Sequence, residues 1–141
     1  MKIKNEEIQL KIVKKQDCQF LYELLKERNP VENISHKKMP TYSQHVKFVM
    51  SKPYSVWYII YHKKEKIGSF YLTKQNEIGI FIKTEFQKMG LSKKTMQLII
   101  KKHPKKRFLA NVNPKNKNSI KFLTNFGYKL IQQTYELNMK N

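Results

Sequence analysis

A polar loop, Gln87-Lys88-Met89-Gly90-Leu91-Ser92, stands between the alternating apolar run EIGIFI (77–82) and the run TMQLII (95–100), with Lys93 and Lys94 close behind it. The first run has the period of a strand, and the second reads as a helix. A helix start leaves its first amide N–H groups without intrahelical partners and carries about half a positive charge. With Gly90 letting the backbone bend close to a ligand, the amides of residues 88–93 can ring a pyrophosphate, and Lys88, Lys93 and Lys94 add charge beside it. The same residues also describe an ordinary helix start with solvated lysines. The loop alone leaves both readings open.

The histidines are the other residues whose type invites chemistry. His36 and His45 lie on either side of MPTYSQ. An imidazole there can bind or deprotonate an amine, and a surface or packing role is the plainer reading. With His62 and His103 they are too irregularly spaced to form a metal motif. The single cysteine, Cys18, excludes an intramolecular disulfide.

These groups must be positioned by a chain of 141 residues, long enough for one domain with a single core. The hydrophobic share of 40% speaks against wholesale disorder. MKIKNEEIQL lacks the apolar centre of a signal peptide, and no apolar run approaches the ~20 residues of a membrane helix. The expectation is a soluble cytoplasmic protein, one domain over 1–141. The formal charge of +19 raises nucleic acid as a partner. Of the 29 basic residues, however, only Arg28 and Arg107 are arginine, leaving 27 lysines spread along the chain. Bases and bidentate phosphates are read mainly by arginine, so nucleic acid is not the favoured partner.

The pattern of elements is α+β. IQLKIV (8–13) alternates as a strand, and Asp17 can cap a helix with Phe20, Leu21, Leu24 and Leu25 on one stripe, stopped by Asn29-Pro30. After a polar loop over 29–42, Ser43 is the expected cap of a second helix presenting Val46, Val49 and Met50. YSVWYIIY (54–61), IGSFYL (67–72) and EIGIFI (77–82) form a three-strand meander. The helix after the loop turns Leu91, Thr95, Leu98 and Ile99 inward and stops at Pro104. FLANV (108–112) is a short strand, and a helix over about 118–126 ends at Gly127. YKLI and TYEL are expected as a final pair of strands. Helices interrupting a mostly antiparallel set indicate α+β architecture.

The order and two motifs resemble the GNAT (general control-related N-acetyltransferase) superfamily, whose members move an acyl group from coenzyme A to an amine. Its pyrophosphate loop, (Gln/Arg)-x-x-Gly-x-(Gly/Ala), is similar to Gln87-Lys88-Met89-Gly90-Leu91-Ser92, with Ile82 five places before it. Ser92 departs from the usual Gly or Ala and remains small enough for close approach. A second pattern, Asn-x-x-(Ala/Ser)-x-x-Phe-(Tyr)-x-x-x-Gly-(Phe/Tyr), is similar to residues 116–128, NKNSIKFLTNFGY, with a shift of about one residue inside the helix. The resemblance covers residues 8 to 137. The segment RNPVENISHKKMPTYSQHVKFV is loosely similar to members that acetylate amino sugars on nucleotide carriers.

The resemblance implies a mixed, mostly antiparallel sheet of six to seven strands flanked by about four helices, with two central strands splayed to admit coenzyme A. Acetyl-CoA is then the co-substrate, with no metal. Its diphosphate falls to Gln87, Lys88, Met89, Gly90, Leu91, Ser92 and Lys93, and its pantetheine arm to the strands carrying Phe81, Ile82 and Asn111. Asn116 and Phe122 complete the cofactor set. Glu77, opening the strand that leads to the loop, is the candidate base; a solvated strand-end glutamate is the alternative. Alternation places Glu77, Gly79 and Phe81 on one face and Ile78, Ile80 and Ile82 on the other. His36 is a weaker catalytic candidate in the acceptor region. Leu123 stands where many members have the tyrosine that protonates the thiolate. The implied function is acetyl transfer to a primary amine of a small acceptor, by a monomer or homodimer. A non-catalytic coenzyme A-binding protein and a lysine-rich nucleic-acid module are the alternatives.

Overall fold

The β-branched and aromatic runs form the strands, and their alternation decides which helices cover them. The computed structural model describes residues 7–28 and 39–139. In chain order the elements are β1 (Ile8–Ile12), a 3-10 turn (Lys15–Asp17), α1 (Cys18–Glu27), α2 (Tyr42–Met50), β2 (Val56–His62), β3 (Glu65–Leu72), β4 (Glu77–Ile82), a 3-10 turn (Thr84–Phe86), α3 (Leu91–Lys102), β5 (Leu109–Ala110) and α4 (Lys117–Phe126). The strands lie in the order β1-β2-β3-β4-β5. The first four are antiparallel, and β5 joins β4 in parallel. This is the expected α+β arrangement, with five strands among the described residues rather than six or seven. Residues 128–139, expected as a final pair of strands, form none: Tyr128 is half-buried, and 129–139 are exposed without a strand partner among the described residues.

Each face of the sheet has its own apolar layer. Ile60, Ile67, Phe70, Leu72, Ile78 and Ile82 meet Leu91, Met96 and Ile99 of α3, while Phe122 and Phe126 of α4 pack against the margin. On the other face, Ile59 meets Cys18 and Leu21 of α1 and Val49 of α2. Fully burying a side chain of the size of Ile59 or Phe70 contributes roughly 1.5–3 kcal/mol. In α3, Met96 takes the inward place expected of Leu98, which is only half-buried.

The helix starts differ from expectation in instructive ways. Asp17 precedes α1, but its side chain does not cap that helix. It instead accepts from Lys14 N at 2.8 Å and from Lys66 Nζ at 2.9 Å. Thr41, not Ser43, caps α2: Thr41 Oγ1 accepts from Gln44 N at 3.1 Å, and Thr41 N donates to Gln44 Oε1 at 2.9 Å. This capping box starts the helix one residue before Ser43. His45 and Val49 are buried and Met50 is 46% exposed, against the expectation for Met50. Asn116 caps α4, whose first residue is Lys117 rather than Asn118.

Candidate active site

The loop after β4 keeps its amides clear. Gly90 adopts φ 77°, ψ 9°, a left-handed conformation suited to glycine, and it occupies the cap position of α3 with no side-chain cap hydrogen bond. A Cβ at Gly90 would meet no atom within 4 Å, so the space before the helix start is open. Lys88 also takes a left-handed φ of 66°. The side chain of Leu91 is buried and anchors α3, whereas Gln87, Lys88, Met89 and Lys93 are exposed and Ser92 is half-buried. Lys93 and Lys94 add positive charge where the helix dipole is already positive, and the first turn of α3 holds no acid. Gln87 turns back and donates from Nε2 to the Ile82 carbonyl at 2.8 Å. Its amide therefore ties the loop to the end of β4. A second tie comes from α1, where Glu27 Oε1 accepts from Thr84 N at 3.1 Å and from Thr84 Oγ1 at 3.3 Å.

Beside this loop the sheet opens. β4 and β5 are in register only at Glu77 with Leu109 and Ile78 with Ala110. β4 continues to Ile82, so beyond Ile78 its β5-facing backbone groups lack a strand partner among the described residues, the Ile82 carbonyl being held by Gln87 Nε2. These groups are what an extended amide-bearing ligand would pair with. The gap runs from Ile78 to Ile82 at the end of β4, about 13 Å at strand rise.

Glu77 sits where the strands part. Asn111 Nδ2 donates to its Oε2 at 2.9 Å, and Thr73 Oγ1 donates to its Oε1 at 3.2 Å. Thr73 Oγ1 also accepts from Glu77 N at 3.0 Å. The carboxylate is thereby held in one orientation while remaining only half-buried. Asn111, whose strand is expected to pair with the ligand through its backbone, holds Glu77 with its side chain. Thr73 was not anticipated from sequence.

The face shared by Glu77, Gly79 and Phe81 is lined with aromatic rings. Trp57, Tyr71 and Gly79 stand in one row across β2, β3 and β4. A Cβ at Gly79 would run into the ring of Tyr71, so glycine there lets that ring lie against β4. Tyr54 stacks on Tyr71 at 3.9 Å, and Trp57 meets Tyr54 edge-on at 4.8 Å. Burial, with Tyr71 alongside, pushes the Tyr54 phenol well above its ordinary pKa. The Arg28 guanidinium lies 5.9 Å from the Phe81 ring centre.

The remaining predicted residues play other parts. Asn116 Oδ1 accepts from Ser119 N at 3.1 Å as the cap of α4. Phe122 packs at the core margin, 6.0 Å from Phe126. Ile82 is buried among the α3 contacts. His36 lies outside the described residues. His45 is buried against Tyr22, at 5.3 Å between ring centres, and burial lowers its pKa. Leu123 is half-buried in α4, and the hydroxyl of Tyr128 is buried without a hydrogen-bond partner, its pKa pushed up to about 12 by desolvation. Among the described residues, no three His, Cys, Asp or Glu side chains are grouped to hold a metal, and no helix is long and apolar enough to cross a membrane.

The acetyltransferase (GNAT) family profile matches residues 18–128, which include β4, the loop, the parted strands and α4. The chain belongs to the acetyltransferase (GNAT) family. Comparison with curated proteins finds no match. Among solved structures, a domain from Methanocaldococcus jannaschii DSM 2661 superposes with a TM-score of 0.78 at 22% identity, covering 92% of each chain. The Salmonella typhimurium acetyl transferase that modifies the N-terminal serine of ribosomal protein L7/L12 gives 0.72 at 17% identity, covering 94% of this chain and 88% of that one. yncA of Salmonella typhimurium, solved with its cofactor acetyl-CoA, gives 0.71 at 13% identity, covering 94% and 86%. At such identities the likeness establishes the GNAT fold.

Proposed function

We propose that this GNAT acetyltransferase moves the acetyl group of acetyl-CoA to the primary amine of a small acceptor within a ternary complex, with the whole chain acting as one domain. The carrying observation is the carboxylate of Glu77, held by Asn111 and Thr73 at the point where β4 and β5 part. The residues fit acetyl-CoA: an uncapped helix start with open space before Gly90, lysines beside it, and a strand gap leading to a carboxylate. Loop amides over 88–93 hold the diphosphate, and β4 backbone groups hold the pantetheine amides.

Acetyl-CoA supplies an activated thioester. Glu77 accepts the proton that the acceptor nitrogen loses as its bond to the acetyl carbon forms, directly or through one water. The carbon–sulfur bond breaks and the electron pair leaves on sulfur. Leu123 cannot donate a proton to that sulfur, so coenzyme A departs as a thiolate, which its thiol acidity permits. On the face that carries Glu77, the aromatic rings of Tyr54, Trp57 and Tyr71 would border the acceptor, and the edge-on Trp57 is the ring that could meet an ammonium group. A thiol-release assay across amino sugars, amino acids, polyamines and N-terminal peptides tests this. Turnover with small amines is expected. Turnover confined to peptides would move the acceptor class to protein N-termini, and tight acetyl-CoA binding with no turnover would favour a non-catalytic protein.

A further inference from the structure

Arg28 is one of two arginines in a chain that fills its other 27 basic positions with lysine. Its place is specific. α1 ends at Glu27, and Arg28 follows in extended backbone. Glu27 Oε1 accepts from Thr84 N at 3.1 Å and from Thr84 Oγ1 at 3.3 Å, so the end of α1 is tied to the turn after β4. Next to that tie the Arg28 guanidinium lies over the Phe81 ring, 5.9 Å from its centre. Phe81 shares its face of β4 with Gly79 and Glu77, and the Tyr71 ring lies against Gly79. Tyr54, stacked on Tyr71, feels the same charge: burial and then Tyr71 push its phenol upward, and Arg28 pulls the other way. A positive group thus stands at one end of this row of rings and the Glu77 carboxylate at the other. Phe81, beneath the guanidinium, and Glu77 lie about 13 Å apart along β4.

Two simpler roles for Arg28 leave its identity unexplained. A cation near a helix C-terminus complements the macrodipole, and a cation over a ring gains from its quadrupole. This chain gives both roles to lysine. Lys26 already stands in the last turn of α1. Lys11, Lys26, Lys66 and Lys102 each lie over a ring, at 4.7–5.8 Å from its centre. What arginine alone supplies is a planar fork of donors matched to a carboxylate or a phosphate. Arg28 is itself engaged within the protein, and with five N–H donors a guanidinium can hold an internal partner and a ligand at once. The adjacent acid, Glu27, is turned to Thr84. The field of the whole chain acts in the same sense: at a formal charge of +19 it draws in anions and holds off polycations.

We propose that the acceptor is an amine that also carries an anionic group, a carboxylate or a phosphate, which Arg28 holds while the amine lies at Glu77. The two groups belong to opposite ends of the acceptor, because Arg28 and Glu77 stand too far apart for an amine and a carboxylate that share one carbon. This narrows the acetyl-transfer reading, on which it rests, to a substrate class and sets polyamines outside it.

Matched acceptors test it: 6-aminohexanoate against hexylamine and 1,6-diaminohexane, and glucosamine 6-phosphate against glucosamine. Each is read by thiol release and, on protein saturated with coenzyme A, by calorimetry. The anionic member of each set should show the higher kcat/KM and the tighter binding, by roughly 10- to 100-fold. Arg28→Gln should abolish that preference by raising KM for the anionic members alone. Arg28→Lys keeps the charge without the fork and should retain the preference only in part. Both variants should keep the wild-type rise in melting temperature with acetyl-CoA, which shows the fold and the loop intact. A preference for the diamine, no anion preference in either readout, or an Arg28→Gln variant that loses neutral and anionic acceptors alike would overturn the proposal. Anion-selective binding without thiol release would uphold the Arg28 site and remove the acetyl-transfer reading; turnover without anion preference would do the reverse.

Discussion

Asn111 Nδ2 donates to Glu77 Oε2 at 2.9 Å, joining β5 to β4 at the mouth of the gap between them. The bond spans 34 residues of sequence and fixes the carboxylate from one side while Thr73 fixes it from the other. A base that must reach an amine gains from such orientation, since proton transfer depends on hydrogen-bond geometry. Glu77→Gln should lower kcat by about 100-fold or more, the usual contribution of a general base, and leave acetyl-CoA affinity nearly unchanged. Asn111→Ala should lower kcat by roughly 10-fold, because it frees the carboxylate without removing it. Steady-state kinetics with thiol release, beside calorimetric acetyl-CoA binding, separates the two effects. An unchanged rate in Glu77→Gln would remove Glu77 from the mechanism.

Two histidines make stability depend on pH. Burial lowers the pKa of His45 from the ordinary 6.5. His103, hydrogen-bonded to Tyr58 Oη at 2.6 Å, is lowered by burial and then by Lys102 and Lys105. In each case the unfolded chain takes up its proton first as pH falls. Their contribution to stability is therefore complete well above 6.5 and is lost progressively below it, so stability rises with pH in that window. Urea midpoints at a series of pH values should fall on the acid side. His45→Phe, which removes one of the two groups, should flatten that slope.

The β2–β3 turn carries strain that substitution can relieve. Lys63 and Lys64 both sit at positive φ, 50° and 70°, between paired His62 and Glu65. A two-residue turn of this hand favours Asn-Gly, and lysine has a Cβ clash there. Lys63→Asn with Lys64→Gly should raise stability by about 1 kcal/mol, read as a higher melting temperature, without altering acetyl-CoA binding.

Much of the body was legible because its signals are local. β4 occupies the alternating run EIGIFI without a residue's difference, and Gly127 ends α4 as the glycine stop indicates. The cap of α2 differs from the expected Ser43: Gln44 three residues after Thr41 completes a capping box, and that pairing outweighs the isolated serine. The Thr73–Glu77–Asn111 arrangement was not legible, because it arises from the parallel meeting of β4 and β5 and leaves no periodic trace. The final strands were misplaced for a related reason. Their alternation is present in residues 128–139, but a strand also needs a neighbour, and among the described residues none pairs with them.

The account turns on whether the amides at the start of α3 bind the diphosphate of coenzyme A, and thermal unfolding with and without acetyl-CoA measures that directly. Ligand at about 100 times its dissociation constant should stabilise the wild-type protein by about 2.7 kcal/mol, seen as a clear rise in melting temperature. Gly90→Glu places a carboxylate in the open space before the helix start and should abolish that rise. A wild-type protein whose melting temperature ignores acetyl-CoA, or a Gly90→Glu variant that responds in full, would contradict the site described for this chain.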